Sequence, residues 1–506
     1  MAEIKDGFGD VLKELQERHA KEEANPFKAT IKEVSKEAIK EYESEKQKKR
    51  DTEKEQRKKD KEIKQQIKEV MDNTTKISFV ADNKCKVICE QIYDSETKKS
   101  RYVIYDSNTK EVTYSDHYGC EFYPVNNEAI TEQAVLLPTA IEKFDDVPAL
   151  IKEIQDFIHK YLDVSPVFEK FGTYYILLSW LYDRVNTMPI LRVLGDTGAG
   201  KSRALDVIGK LCYKPMLVAG ALNPAPIFRL IKMFKGTLIV EEADLSKARQ
   251  QSDETQAIIK IFNCGFEKQK PVVRCNPNDV TELNFFDVYG PKMLATRQRF
   301  DDQATESRCL TEVMQQTTRN NIPTNLLDEF YEAQAKLRNK LLWFRLIKYF
   351  DFKPQVLILQ DMAIEPRLKQ AFEAFASIFG NVPETLAEFK TFLIGYQKDI
   401  IDERAQSFDG QIVNHLIDLV DSGQEVITSK DIAELMGGDI KPATISKRLK
   451  VFGINIKVTR QLNKLQRVID YDIEQINKLR KRYVTDVTNV TLGGEAPPVA
   501  GFIEDK

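Results

Sequence analysis

The chain has 506 residues, 42% of them hydrophobic, a formal net charge of −3 and seven cysteines. That length and apolar content allow several buried cores, while the near-balanced charge excludes a globally basic nucleic-acid binder, so any contact with a polyanion must be local. No apolar run reaches membrane-spanning length, the nearest lying around Tyr174 to Leu181, and the cysteines have the mixed spacing of reduced thiols, so a soluble cytoplasmic protein is expected.

Residues 1–75 read as a charged helical or disordered arm. From Ile31 to about Val70, Lys, Glu, Gln and Arg dominate, and no apolar heptads are sustained. Residues 76–125 change to short alternating runs, Lys76 to Val80, Tyr102 to Tyr105 and Val112 to Tyr114, separated by turn residues, which is the pattern of a small β module. Within it Cys85, Cys89, His117 and Cys120 have the chemistry of a tetrahedral zinc site. However, Cys85, Val87 and Cys89 alternate onto one face of a strand, which favours core cysteines. Residues 126–189 form a helical lead-in, with Leu150, Ile151, Ile154, Phe157, Ile158 and Tyr161 at helix spacing.

Residues 190–320 carry the chemistry. The apolar run Leu191 to Leu194 is followed by Gly195, Asp196, Thr197, Gly198, Ala199, Gly200, Lys201 and Ser202, a complete P-loop between a strand and a helix expected over Arg203 to Leu211. Its glycines let successive N–H groups turn inward to phosphates; Lys201 would sit on the β- and γ-phosphates and Ser202 on Mg²⁺, with Arg203 beside them. A second apolar strand, Gly236 to Val240, ends in Glu241 and Glu242. Glu241 stands in the slot usually filled by aspartate and would hold Mg²⁺ through a bound water, and Glu242 would orient the attacking water. A hairpin is expected over Gln269 to Phe286, with Asn276-Pro277-Asn278-Asp279 as its turn; Lys268, Lys270 and Arg274 are basic, but Asp279 and Glu282 oppose them. A third core strand, Tyr289 to Arg297, places Thr296 at its polar end as a γ-phosphate sensor. Beyond it stands Arg308, in Thr305-Glu306-Ser307-Arg308.

Residues 321–405 are helical, with Leu326, Leu327, Phe330, Leu337, Leu341, Leu342 and Phe344 along the stretch from Pro323 to Phe352. Residues 406–482 have the layout of a winged helix-turn-helix. Thr428 opens a helix with a capping signature, Gly437 and Gly438 break it, and Pro442 starts a second helix, followed by two strands. In that layout Thr444, Ser446, Lys447 and Lys450 face a DNA groove or its phosphates, and Arg460, Lys464 and Arg467 decorate the wing, although such modules also dock proteins. Residues 483–506 read as a disordered tail.

The order of P-loop, acidic strand end, hairpin, sensor strand and Ser-Arg resembles the AAA+ P-loop ATPases, and among them the replicative helicases of viruses and mobile genetic elements and the minichromosome-maintenance type. The resemblance covers about residues 190–320. It implies an α/β fold in which a AAA+ core carries a helical lid, and a ring, expected to be a hexamer, that hydrolyses ATP with Mg²⁺ at subunit interfaces. By it, Arg308 is an arginine finger that reaches the neighbouring subunit's nucleotide. The hairpin around Asn278 would grip DNA in the central pore through Lys270 and Arg274, and a lid arginine, Arg338 with Arg345 and Arg367 as competitors, would contact the nucleotide of its own subunit. The expected function is an ATP-dependent DNA helicase or translocase, a replication helicase or initiator of a phage, plasmid or other mobile element. The alternatives are a AAA+ ATPase that remodels or regulates proteins, and an ATP-regulated duplex-binding protein that does not unwind.

Overall fold

The computed structural model describes Lys40 and Ser44, then residues 75–219, 223–241, 253–275, 282–300, 302–355, 357–437, 439–461 and 464–484. The chain divides into two compact units, residues 1–75 and 76–506. In the first, Lys40 and Ser44 are helical and exposed; the rest of the expected arm up to residue 74, and the tail from residue 485, lie outside the described residues.

The second unit begins with a four-stranded antiparallel sheet, β1 (Phe79–Asp82), β2 (Val87–Asp94), β3 (Lys99–Asp106) and β4 (Val112–Ser115), paired in chain order. Turn chemistry sets its first corner, because the Asp82 carboxylate accepts from the amides of Lys84 and Cys85. Cys85 is therefore exposed in a turn, contrary to the strand alternation expected of it, whereas Cys89 is buried in β2 and burial pushes its thiol up to about 12. His117 stacks on Tyr123, and Cys120 is exposed. Among the described residues no group of three or more His, Cys, Asp or Glu could hold a metal ion.

Two helices follow, α1 (Val147–Tyr161) and α2 (Pro166–Ser179), each with proline in its first turn and a side-chain N-cap, Asp146 and Ser165. The centre of the unit is a five-stranded parallel sheet. It is formed by β5 (Ile190–Leu194), β6 (Met216–Val218), β7 (Leu238–Val240), β10 (Lys292–Thr296) and β11 (Cys309–Val313), in the spatial order β11-β5-β10-β7-β6. Strand periodicity divides its side chains between two cores. Leu191, Val193, Met293 and Ala295 join one core with α1, α2, α3 (Lys201–Val207) and α6 (Asp328–Lys348). Ile190, Leu238, Val240 and Leu294 join the other with α4 (Pro224–Phe234) and α5 (Asp253–Cys264). Helices on both faces account for the near-continuous apolar strands. Between α5 and β10 stands an antiparallel hairpin, β8 (Val272–Cys275) with β9 (Leu283–Phe286), its register set by Val272 opposite Phe286 and Cys275 opposite Leu283.

Further helices α7 (Pro366–Ala376) and α8 (Pro383–Gln406) pack with α2 through Phe171, Phe372, Phe375, Phe379 and Phe389. The C-terminal part has a core of its own, built from α9 (Phe408–Asp421), α10 (Ser429–Leu435), α11 (Pro442–Val451), the antiparallel pair β12 (Asn455–Gln461) and β13 (Lys464–Asp470), and α12 (Ile473–Tyr483). The expected cap at Thr428 is a complete capping box with Asp431.

One buried ionic network fastens the antiparallel sheet to the rest. Glu90 lies between Ile88 and Ile92 on the core-facing side of β2 and accepts from Tyr213 Oη, Lys214 Nζ (2.8 Å) and Arg345 Nε. Arg345 of α6 also makes a bidentate pair with Asp183, at 2.8 and 2.9 Å, and donates to the Trp180 carbonyl. Its guanidinium lies over the rings of Phe79, Tyr213 and Tyr349. Two acids and two bases meet in it, so the network is formally neutral.

Candidate functional site

In a parallel sheet the ligand crevice opens at the carboxyl ends of the strands, where the order of strands reverses. Here β5 has β10 on one side and β11 on the other, and the loop that leaves β5 is Gly195 to Ser202. The Gly195 amide donates to the Thr296 carbonyl (3.2 Å), tying the loop to the end of β10. A Cβ on Gly195 would stand 2.7 Å from the Met314 carbonyl, and Gly198 and Gly200 have φ of 84° and 87°, which side chains rarely adopt. The loop thus needs its glycines.

Two side chains of this loop are fixed in place, and Thr296 stands at the end of the neighbouring strand, its carbonyl on the Gly195 amide. The Lys201 ammonium donates to the Gly195 and Asp196 carbonyls, each at 2.7 Å, so its charge is held over the loop. Ser202 Oγ donates to the Glu241 carboxylate at the end of β7, bringing the two expected Mg²⁺ ligands into direct contact. Thr296 is fully buried, and its Oγ1 has no hydrogen-bond partner among the described residues. An unpaired buried hydroxyl costs about 1–3 kcal/mol, so an acceptor or donor supplied by a bound group fits this point. An oxygen-lined cation site of one hydroxyl and one carboxylate beside a phosphate cradle suits Mg²⁺, which normally keeps waters and phosphate oxygens as its other ligands. Glu242, expected to orient water, lies outside the described residues.

Other expected site residues stand elsewhere. The Arg203 guanidinium donates to the Pro323 and Thr324 carbonyls, so its side chain is engaged there. Arg338 is half-buried near the far end of α3, donating to Gln334 (3.1 Å) and the Lys210 carbonyl (3.4 Å), and desolvation pushes it down to about 10. Arg345 belongs to the Glu90 network, while Arg367 is exposed.

Arg308 lies at the opposite end of the sheet from the P-loop. Its carbonyl accepts from Ile190 N at the start of β5, and the five residues of β5 separate it from Gly195 by roughly 16 Å. The half-buried guanidinium donates to Asn263 Oδ1 (2.9 Å) and the Ala304 carbonyl, and lies over the Phe266 ring. Burial, and then the charge of Arg367, hold it below its ordinary value. Arg192, in the middle of β5 and fully buried, reaches this loop, donating to both oxygens of Glu306 and to Thr311 Oγ1. Burial works to raise Glu306, but the Arg192 hydrogen bonds overcome it and hold the acid below the usual carboxylate range.

The hairpin offers less free charge than its sequence suggests. Lys268 donates to the Asp183 carbonyl (2.7 Å), Lys270 pairs with Glu267, and the Arg274 guanidinium lies 4.9 Å from the Phe228 ring centre. Asn278 lies outside the described residues. The outward face is apolar: Val273 and its cross-strand partner Phe285 are 47% and 63% exposed, and Leu283 is 51% exposed.

In the C-terminal part, Thr444, Lys447 and Lys450 are exposed along α11. Ser446 corrects the expectation of a groove contact. It is 7% exposed, and its Oγ meets Ser429 Oγ (2.8 Å) and the Pro442 carbonyl (3.0 Å), so it joins α10 to α11. The Arg460 side chain lies outside the described residues, and Arg467 is exposed. Among the described residues no helix is long and apolar enough to cross a membrane.

No protein-family model matches the chain, and no curated protein matches it. Solved structures similar to it include the SCCmec type IV Cch active helicase, with 12% identity over 79% of this chain and 98% of that one and a TM-score of 0.37. The apo C-terminal region of NrS-1 gives 11% identity over 76% and 97%, with a TM-score of 0.34. Drosophila ORC bound to DNA gives 12% over 68% and 96%, with a TM-score of 0.17.

Proposed function

We propose that the chain is an ATP-hydrolysing motor of the AAA+ type that works on DNA as a ring, serving as a replication helicase or initiator of a mobile element. The observation that carries the reading is the Ser202–Glu241 contact at the end of a complete P-loop whose Gly195 amide is tied to the Thr296 carbonyl at the end of β10. ATP would lie along Gly195 to Ser202, with Lys201 on its phosphates and Thr296 reading the terminal one. Mg²⁺, held by Ser202 and Glu241, would neutralise phosphate charge. Glu242 would orient the water, and Arg308, too far from its own P-loop, would serve the neighbouring subunit. On this reading α6 to α8 are the lid, with Arg367 the exposed arginine of the three expected there. The C-terminal part is a winged helix that meets DNA through Thr444, Lys447 and Lys450.

The test is steady-state ATP hydrolysis with no nucleic acid, with single-stranded DNA and with a forked duplex. Single strands are expected to stimulate hydrolysis, and Lys201→Ala to abolish it under all three conditions. Hydrolysis that depends on Lys201 but ignores DNA would overturn the motor reading.

The apolar outward face of the hairpin supports a second reading, in which the substrate is a polypeptide. The two diverge at Phe285. Stacking of a base on an aromatic ring is worth about 1–3 kcal/mol, so the DNA reading expects Phe285→Ala to weaken single-strand binding about 5- to 150-fold, with Phe285→Tyr close to wild type. An unchanged affinity for single strands, together with weaker binding of an unfolded polypeptide, favours the second reading.

A further inference from the structure

We propose that Lys292 is a positioning residue that locks the root of the β8–β9 hairpin to the strand ending in Thr296, so that the state of the nucleotide reaches the hairpin through one rigid strand. The inference rests on the DNA-motor reading above and names the joint on which its coupling depends.

Lys292 opens β10 and is 2% exposed. With a side-chain period of two, Lys292, Leu294 and Thr296 share one face of that strand, the first at the hairpin end and the last at the P-loop end. The Lys292 ammonium donates to three carbonyls, those of Gly265 (2.9 Å), Val288 (3.1 Å) and Gly290 (2.8 Å). Gly265 follows α5 on the side where the chain enters the hairpin; Val288 and Gly290 lie on the side where it leaves. The ammonium therefore gathers both limbs at the point where they meet the sheet. Gly265 is shaped for this contact, since a Cβ there would stand 2.2 Å from Lys292 Nζ and 2.4 Å from the Val288 carbonyl.

Among the described residues no carboxylate makes an ion pair with Lys292, and burying an ammonium on carbonyls alone is costly where an apolar side chain would fill the same space. The arrangement is complete only in the charged form. An ammonium has three donors for the three carbonyls, whereas the neutral amine has two and must release one limb. Burial pushes Lys292 down to about 7, against the opposing charges of Asp287 and Cys264. Tyr175, which meets the backbone N and O of Lys292, is held well above its ordinary value by burial and stays neutral across this range. The joint is therefore three-pointed below about pH 7 and loses a point above it.

The experiment measures ATP hydrolysis at saturating single-stranded DNA and without DNA, from about pH 6 to about pH 8, for wild type, Lys292→Met and Lys292→Gln. The expected result is a wild-type stimulation ratio that falls as pH rises through about 7 towards the level of the two variants. Both variants are expected to keep basal hydrolysis, to show low stimulation, and to lose the pH dependence of the ratio. A wild-type ratio that is flat over this range, or a Lys292→Met ratio equal to wild type, overturns the role of Lys292 and leaves the motor reading standing. A wild type that DNA does not stimulate at any pH overturns the motor reading and the coupling with it. Circular dichroism identifies a variant that fails to fold, and in that case the wild-type profile decides alone.

Discussion

Replacing Arg345 with methionine is expected to lower the unfolding free energy by about 3–5 kcal/mol, the usual cost of breaking a buried ion pair from one side. That is a large part of the roughly 5–15 kcal/mol that holds a domain folded. Arg345 is fully buried, and the change leaves Glu90 and Asp183 inside the core with only Lys214 to balance them. The shift in the urea midpoint measures the effect. Glu90→Gln combined with Arg345→Met is expected to cost less than the sum of the single changes, because the second removes a charge the first has already left unbalanced. Additive costs would mean that the residues do not act as one network. The acid limb supplies a further check. Burial works to raise Asp183, but the Arg345 charge overcomes it and holds the carboxyl below its ordinary value. Its stabilising contribution is therefore full above about pH 4 and lost as pH falls through the lower folded value; Arg345→Met is expected to remove that dependence. Lys214 acts at the other end. Burial pushes it down to about 8, so above that pH the unfolded chain binds more protons than the folded one, and stability rises until the ordinary lysine value near 10.4 is passed.

Arg308→Ala is expected to reduce the rate of hydrolysis by about 10³- to 10⁵-fold, the range for loss of an arginine finger, while ATP binding persists. The two halves of this expectation come from the sheet. The P-loop leaves the carboxyl end of β5 and Arg308 stands at its amino end, held by Asn263 and the Ala304 carbonyl, so no rotation of the side chain brings it to its own cradle. Nucleotide binding by equilibrium fluorescence and turnover by phosphate release separate the two effects. Mixing Arg308→Ala with Glu242→Gln subunits is expected to restore part of the rate, since some interfaces then hold an intact finger and an intact water-orienting acid. A mixture that co-assembles, binds ATP and remains silent would overturn the assignment in trans.

Much of this was legible in the sequence because it depends on local chemistry. The P-loop between an apolar strand and a helix, the hairpin ahead of the third core strand and the capping box at Thr428 all follow from residues a few positions apart. Long-range polar pairs were not legible. Arg345 and Glu90 are 255 positions apart and Arg192 and Glu306 are 114 apart, and in a strand pattern a lone Arg or Glu reads as a solvated face. Lys292 is hidden for the same reason, since its partners are backbone carbonyls that no side-chain motif announces. Ser446 was misread because a hydroxyl on a basic helix looks exposed until the facing helix supplies Ser429. The contacts of the hairpin's basic residues with an acid, a carbonyl and an aromatic ring were likewise not legible, because two of the three partners are distant in sequence.

The pair between buried Arg192 and half-buried Glu306 would give a ring of the proposed kind a sense of direction. β5, which leads into the P-loop, is tied at its middle to the loop that carries Arg308, so on the proposed reading a displacement of β5 along its own axis would carry the finger with it. In that ring a subunit would not adjust to its own phosphates without moving what it offers next door. In a closed ring of such subunits, neighbouring sites would fire in sequence, and the timing of each would be set by the one before it.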